Sequence, residues 1–249
     1  MATSFYSESV QALGEADMSS AKILIITTSH RHLGDANKAT GLWLEELTTP
    51  YYAFLDAGAS VTVASVKGGA VPIDPSSQKA DGENTQSVER FLADEEVQQA
   101  IAHTPSIEEV NASEYDAVFL PGGHGTMWDL PESDRLSQII SETLEQGHVV
   151  SAVCHGPAGL ISAKTAAGEP VVKGRKISAF TNAEEDAVGL TDTVPFLLES
   201  KLKMLGAEIQ KAGNFEAFAV ADGNLVTGQN PMSSELVAQK VLSAIENNK

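Results

Sequence analysis

Short apolar runs that end in abrupt turns, each followed by a one-sided helical pattern, constrain this chain more than any other feature. Residues 117–120 (AVFL) and 148–153 (HVVSAV) are two such runs. A strand that is apolar on both faces must be covered on both, which is the situation of a parallel sheet between two layers. Residues 22–28 (KILIITT) read as a third strand, and 60–65 (SVTVAS) alternate and are β-branched, as strands are. A further strand is expected at 176–180, and 218–221 and 225–227 flank the hairpin signal Asp222-Gly223.

Helical spacing runs through 40–55, with Gly58 beyond its end, and through 87–102, where Val88, Phe91, Leu92, Val97 and Ile101 recur. It returns at Leu136, Ile139, Ile140 and Leu144 before a stop at Gly147, at 195–205, and at Leu236, Val237, Val241 and Ile245. Residues 66–83 hold Gly68, Gly69, Pro72 and Pro75 and read as loop. Strands alternating with one-sided helices predict an α/β fold, a mostly parallel sheet sandwiched between helical layers. Ligands of such sheets collect outside the carboxyl ends of the strands.

The 249 residues, 42% of them hydrophobic, suffice for one large core, so 21–249 are expected to form a single domain behind an N-terminal extension, 1–20. Met18 stands just before the first strand, so 1–17 read either as an extension or as a stretch before an alternative start. No run of about 18 apolar residues and no leader pattern occurs, which makes a cytoplasmic protein without a membrane partner the expectation. The 34 acidic residues against 16 basic ones give a net charge of −18, which repels nucleic acid. The lone cysteine, Cys154, has no disulfide partner in the chain and is free for chemistry or for quiet burial.

Residues 149–160 (VVSAVCHGPAGL) run strand, cysteine, then small residues expected to open a helix. This is the logic of a nucleophile elbow. A sharp turn lifts the side chain above the sheet, Gly156 tolerates the crowding, and the positive end of the helix favours thiolate. His155 is placed to hold or exchange a proton with the thiol. The turn Pro121-Gly122-Gly123-His124-Gly125 exposes backbone N–H groups free of bulky side chains, so Gly123 and His124 are candidate substrate-binding positions. The N–H groups of Gly123 and His155 are the candidate oxyanion donors. Each turn also has a plain structural reading: a buried cysteine followed by a capping histidine, and a glycine-rich turn that only turns.

Four tracts, in this order, resemble the ThiJ/PfpI superfamily in its heat-shock chaperone and glutathione-independent glyoxalase branch. They are Thr40-Gly41-Leu42-Trp43-Leu44-Glu45-Glu46 with Pro50; Ala64-Ser65-Val66-Lys67-Gly68-Gly69 with Pro72, Asp74 and Pro75; the Gly-Gly-His-Gly turn; and Ala152-Val153-Cys154-His155-Gly156-Pro157. The resemblance runs from about Lys22 to the C-terminus. It implies a flavodoxin-like three-layer sandwich, a homodimer, and a protonated glutamate on the first helix that donates a hydrogen bond to the cysteine thiolate. By position in its tract that glutamate is Glu46, with Glu45 about 100° round the helix. Residues 180–186 (FTNAEED) resemble the family segment whose acid orients the catalytic histidine; matching from Phe180 favours Glu185, with Glu184 the alternative.

The activity this implies is conversion of a small 2-oxoaldehyde, methylglyoxal or glyoxal, to a 2-hydroxy acid, with Cys154, His155, Glu46 and Glu185 as the catalytic set and no cofactor. Two other readings share these residues. One is a stress-response holdase or a thiol sensor in which Cys154 oxidises; the other is a cysteine peptidase or amidase, separated from a glyoxalase by pocket size. His30 and His32 form an H-x-H pair without a companion at ligand spacing, and His103, His124 and His148 are scattered, so no metal site is expected.

Overall fold

The computed structural model describes Met18 and residues 20–34 and 38–248. Most of the expected extension therefore lies outside the described residues. In chain order the elements are β1 (Lys22–Thr27), α1 (Leu44–Asp56), β2 (Ser60–Ser65), α2 (Gln86–Leu92), α3 (Glu95–Ala102), β3 (Ala117–Leu120), α4 (Thr126–Asp129), α5 (Asp134–Glu145), β4 (Val149–Val153), β5 (Lys176–Ile177), α6 (Asn182–Ala187), α7 (Leu198–Met204), β6 (Glu208–Ile209), β7 (Ala219–Asp222), β8 (Leu225–Gly228) and α8 (Ser234–Asn247).

The main sheet has six strands in the order β2-β1-β3-β4-β8-β7. Every neighbour pair is parallel except β7 with β8, the expected hairpin. Successive strand residues face opposite layers. Ile23, Ile25, Phe119, Val149 and Val153 pack under α1 and α8, against Leu44, Leu47, Phe54, Val237, Val241 and Ile245. Leu24, Ile26, Val118, Leu120, Val150 and Ala152 pack against Leu136, Ile139 and Ile140 of α5 and Leu198 and Leu202 of α7. That is the three-layer sandwich the apolar runs predict, and the order 2-1-3-4 is that of flavodoxin-like sheets. Between β1 and β3 the winding reverses, so a crevice opens at their carboxyl ends.

Phe54 of α1 meets Phe119 of β3 edge to face with 5.9 Å between ring centroids. Such a pair adds about 0.5–1.5 kcal/mol beyond area burial. It also fixes the height of α1 over β3, and so the reach of the first turn of α1.

Several expectations change. The helix expected from residue 40 starts at Leu44, because Leu42 instead bonds in strand fashion: its N–H donates to Pro72 O at 2.8 Å and its carbonyl accepts from Asp74 N at 2.9 Å. The helix expected over 87–102 is two, broken at Asp94. There a side-chain oxygen caps Val97 N at 3.2 Å, and the other oxygen accepts from Tyr52 Oη at 3.0 Å. The strand expected at 176–180 is only the two residues of β5, which pair with β6 rather than with the main sheet.

Candidate active site

Cys154 follows β4 with φ +60°; only Phe215 shares positive φ among the described non-glycine residues. The left-handed conformation costs about 1–2 kcal/mol, and the flanking hydrogen bonds maintain it. Cys154 N–H donates to Gly228 O at 3.0 Å, and Cys154 O accepts from Phe180 N at 2.9 Å. The side chain is thereby lifted off the sheet, as an elbow requires. The following helix is not formed: Gly156–Leu160 make a short 3-10 turn. With no α-helix dipole aimed at it, the thiol is not lowered. Burial pushes it well above its ordinary value, the Glu46 and Glu185 charges push further, and the His155 N–H opposes them. Burial therefore favours the thiol, against the thiolate that a helix terminus would favour.

His155 Nδ1 lies 3.3 Å from Cys154 Sγ, while its Nε2 is 2.7 Å from Glu185 Oε2. His124 Nε2 reaches the other oxygen, Glu185 Oε1, at 2.7 Å, and the two rings lie 4.1 Å apart. Burial alone would raise the Glu185 carboxyl, but the hydrogen bonds from both histidines outweigh it and hold the group down at about 2. An ionised Glu185 only accepts, so each Nε2 carries the proton and donates. Nδ1 of His155 is then a bare acceptor facing sulfur. Burial, aided by His124, depresses His155 to about 4, so the imidazole is neutral near pH 7.

On the opposite side stands Glu46, delivered by the first turns of α1 and fully buried. Its Oε2 accepts from Gly122 N at 2.7 Å. Its Oε1 has no hydrogen-bond partner among the described residues. Burial raises this carboxyl to about 8, against the lowering effect of the Cys154 thiol and the Gly122 N–H. A neutral carboxyl with one oxygen occupied and the other free has a proton to offer towards sulfur. Glu45, beside it in sequence, is half-buried on an outer groove with Thr49 and Arg90.

The N–H groups of Gly123 and His155 donate to no backbone acceptor among the described residues. Gly123 has φ +99°, and a Cβ there would run into Gly41 O and Trp43 N. The glycine-rich turn is thus packed backbone to backbone against 41–43. Gly123→Ala is expected to lower Tm by on the order of 5 °C, through left-handed strain plus displacement of 41–43, with a parallel loss of activity. Calorimetry of the two proteins checks it; an unchanged Tm would mean that the turn is not held this tightly.

All the residues expected at the site, Cys154, His155, Glu46, Glu185, Gly123 and His124, meet around one cavity or directly behind it. The choice between the two glutamates falls to geometry. Glu184 faces away, where its oxygens accept from Thr181 N and Oγ1, Phe215 N, Gln229 Nε2 and Asn230 Nδ2. The metal-like cluster among the described residues is His124, His155 and Glu185, with ligand atoms within 4.8 Å of one another. Both Nε2–H groups are already spent on Glu185 at 2.7 Å, so proton and carboxylate satisfy the cluster as it stands. His30 instead bonds His32 O at 2.6 Å and stacks on Trp128. The apolar wall of the cavity, Val188, Phe215 and Met232, was not visible in the sequence, since three separate loops bring it together.

The DJ-1/PfpI family model matches residues 39–244. Over 237 residues the chain is 34% identical to "Glyoxalase 3" of Candida albicans, covering 91% of this chain and 99% of that one. It is 32% identical over 240 residues to "Glutathione-independent glyoxalase HSP31" of Saccharomyces cerevisiae, covering 92% and 100%. The crystal structure of the 24 kDa Rapid Encystment Protein of Francisella tularensis superposes with a TM-score of 0.86 at 37% identity, covering 90% of this chain and 99% of that one. With the Gly-Gly-His-Gly and Cys-His turns brought together as described, and relatives of this kind matching along nearly their whole length, the chain belongs to the DJ-1/PfpI family.

Proposed function

We propose that the protein is a glutathione-independent glyoxalase that converts a small 2-oxoaldehyde, methylglyoxal or glyoxal, to a 2-hydroxy acid through a hemithioacetal on Cys154. The observation that carries this reading is the thiol set between two groups of opposite character, a neutral imidazole with a bare Nδ1 and a buried carboxyl with an unpartnered oxygen. The cavity above it, about 120 Å³, takes the two-carbon reacting unit of a 2-oxoaldehyde with its substituent towards the mouth, and has no length for a peptide. Size therefore separates this reading from a peptidase.

In the proposed sequence His155 Nδ1 takes the thiol proton, and ionised Glu185 stabilises the imidazolium that forms. Sulfur adds to the aldehyde carbon, C1, and the oxyanion is met by the Gly123 and His155 N–H groups. The imidazolium gives its proton to that oxyanion, which frees Nδ1 again. His155, or Glu46 once its own proton has passed to the C2 oxygen, then carries the proton from C1 to C2, and the C1 hydroxyl proton ends on the C2 oxygen directly or replaces the one Glu46 gave. C1 becomes a thioester carbonyl and C2 an alcohol, so the oxidation and the reduction balance within one substrate and no redox cofactor is consumed. Water cleaves the thioester, which releases the acid and restores the thiol. His124 holds the second oxygen of Glu185 and so fixes its orientation.

The same reading takes residues 21–249 as the working domain of a cytoplasmic homodimer, which light scattering on the purified chain tests directly. For the activity, purified protein without glutathione should consume methylglyoxal and yield lactate in equal amount. Folded protein that makes no lactate would overturn the proposal.

A further inference from the structure

We propose that Phe215 is a specificity-determining residue, held over the mouth of the Cys154 cavity by Glu184, and that it favours 2-oxoaldehydes carrying an aryl-sized apolar substituent over those carrying hydrogen or methyl. The inference rests on the glyoxalase reading and names the substrate class of that same site.

Six large apolar side chains are exposed among the described residues, and three of them, Val188, Phe215 and Met232, stand at this one mouth. Apolar groups gathered at the entrance of a pocket point to an apolar ligand. A hydrogen or methyl substituent leaves them in water, whereas a ring lying across them removes apolar surface from water on both sides. The rings continue inward: Phe215 is 6.2 Å from Phe180, and Phe180 is 4.4 Å from His155, centroid to centroid. A substituent on a substrate carbon bound to Sγ thus leaves the thiol along an aromatic wall.

Phe215 is held where it is against its own backbone preference, with φ +58°. A bulky residue in that region is strained and persists only when its surroundings over-determine it. The surroundings here are built around one buried carboxylate oxygen. Glu184 Oε1 accepts from Phe215 N at 2.8 Å, Asn230 Nδ2 at 2.9 Å and Gln229 Nε2 at 3.0 Å. Gln229 and Asn230 reach on to the same loop, where Gln229 Oε1 accepts from Ala212 N at 2.9 Å and Asn230 Nδ2 donates to Glu216 O at 2.8 Å. Both residues follow directly on Gly228 of β8, whose carbonyl accepts the Cys154 N–H at 3.0 Å. The strand end that supports the nucleophile therefore also sets the ring. The adjacent acids divide the work: Glu185 orients His155, and Glu184 positions Phe215.

The test compares kcat/KM for phenylglyoxal and methylglyoxal in the full chain and in Phe215→Ala, Phe215→Gly and Glu184→Gln. The wild type should prefer phenylglyoxal by about tenfold, and both Phe215 variants should lose that preference, mainly through KM for phenylglyoxal. Phe215→Gly accepts the left-handed backbone without strain, so its loss cannot be assigned to misfolding. Glu184→Gln should shift the ratio the same way, since a neutral amide oxygen is a weaker acceptor for the loop. A wild-type ratio near one, or equal losses on both aldehydes, overturns the proposal. If the wild type turns over neither aldehyde, the glyoxalase reading fails on its own. The wall is then read from Cys154 alkylation by phenacyl bromide and iodoacetamide, followed by intact mass. A loss in Phe215→Ala confined to phenacyl bromide supports the proposal, and equal changes for both reagents overturn it.

Discussion

Cys154→Ser is expected to lower kcat by at least about 10⁴-fold while leaving the fold in place, because covalent addition by sulfur starts every later step. The backbone at this position is held from both sides, by Gly228 O and Phe180 N, and a hydroxyl is close enough in size to sulfur for the elbow to survive. What fails is the proton transfer. His155, depressed to about 4 by burial and by His124, is a weak base, and it can remove a thiol proton only because the imidazolium is stabilised by Glu185 as it forms. A serine hydroxyl holds its proton far more tightly than a thiol, so the same weak base leaves it un-ionised. Lactate formation is the measurement, with near-ultraviolet circular dichroism as the control for folding. Turnover retained above about one per cent would mean that sulfur is not the attacking atom.

The fold was legible wherever burial on two faces leaves no alternative. Residues 117–120 and 149–153 can be satisfied only inside a covered parallel sheet, and Asp222-Gly223 only by a tight hairpin. It was not legible where tertiary partners override local pattern. The apolar residues over 87–102 keep only roughly to helical spacing, with a five-residue step from Leu92 to Val97; within that step Asp94 has Tyr52 to bond across the structure and stops one helix while capping the next. Leu42 keeps helical spacing but spends its backbone on Pro72 and Asp74.

The site divides in the same way. Chain neighbours such as Cys154-His155 and Gly122-Gly123-His124 carry their geometry in the turn itself. The choice between Glu45 and Glu46 needed a resemblance, and their different burial is decided by the face of α1 that meets β3. Glu184 and Glu185 differ in what they bind only once the loop of Phe215 is in place. Phe215 itself had no signal, since neither its left-handed backbone nor its neighbours across the cavity leave a trace in composition or period.

Glu46→Gln is expected to cost activity and gain stability, and the two effects share one cause. The carboxyl is raised to about 8 in the folded chain from its ordinary 4.5. Between those values the folded state binds more protons than the unfolded one, so wild-type stability falls as pH rises from about 4.5 to about 8. Glutamine removes this titration while its amide oxygen still accepts from Gly122 N–H. The variant should therefore gain on wild type as pH rises, by on the order of 4 kcal/mol between pH 4.5 and 8.5. Activity moves the other way. An amide can donate towards sulfur but cannot carry a proton from C1 to C2, so kcat should fall by about 10²–10³-fold. The wild-type decline in kcat/KM near pH 8, where Glu46 loses its proton, should vanish from the variant profile. Urea unfolding of both proteins at pH 5 and pH 8.5, with rates across the same range, reads all of this. A stability difference that does not change with pH would show that Glu46 is not the neutral buried carboxyl described here. A variant within tenfold of wild-type activity would leave Glu46 as a hydrogen-bond donor only, with His155 moving the proton.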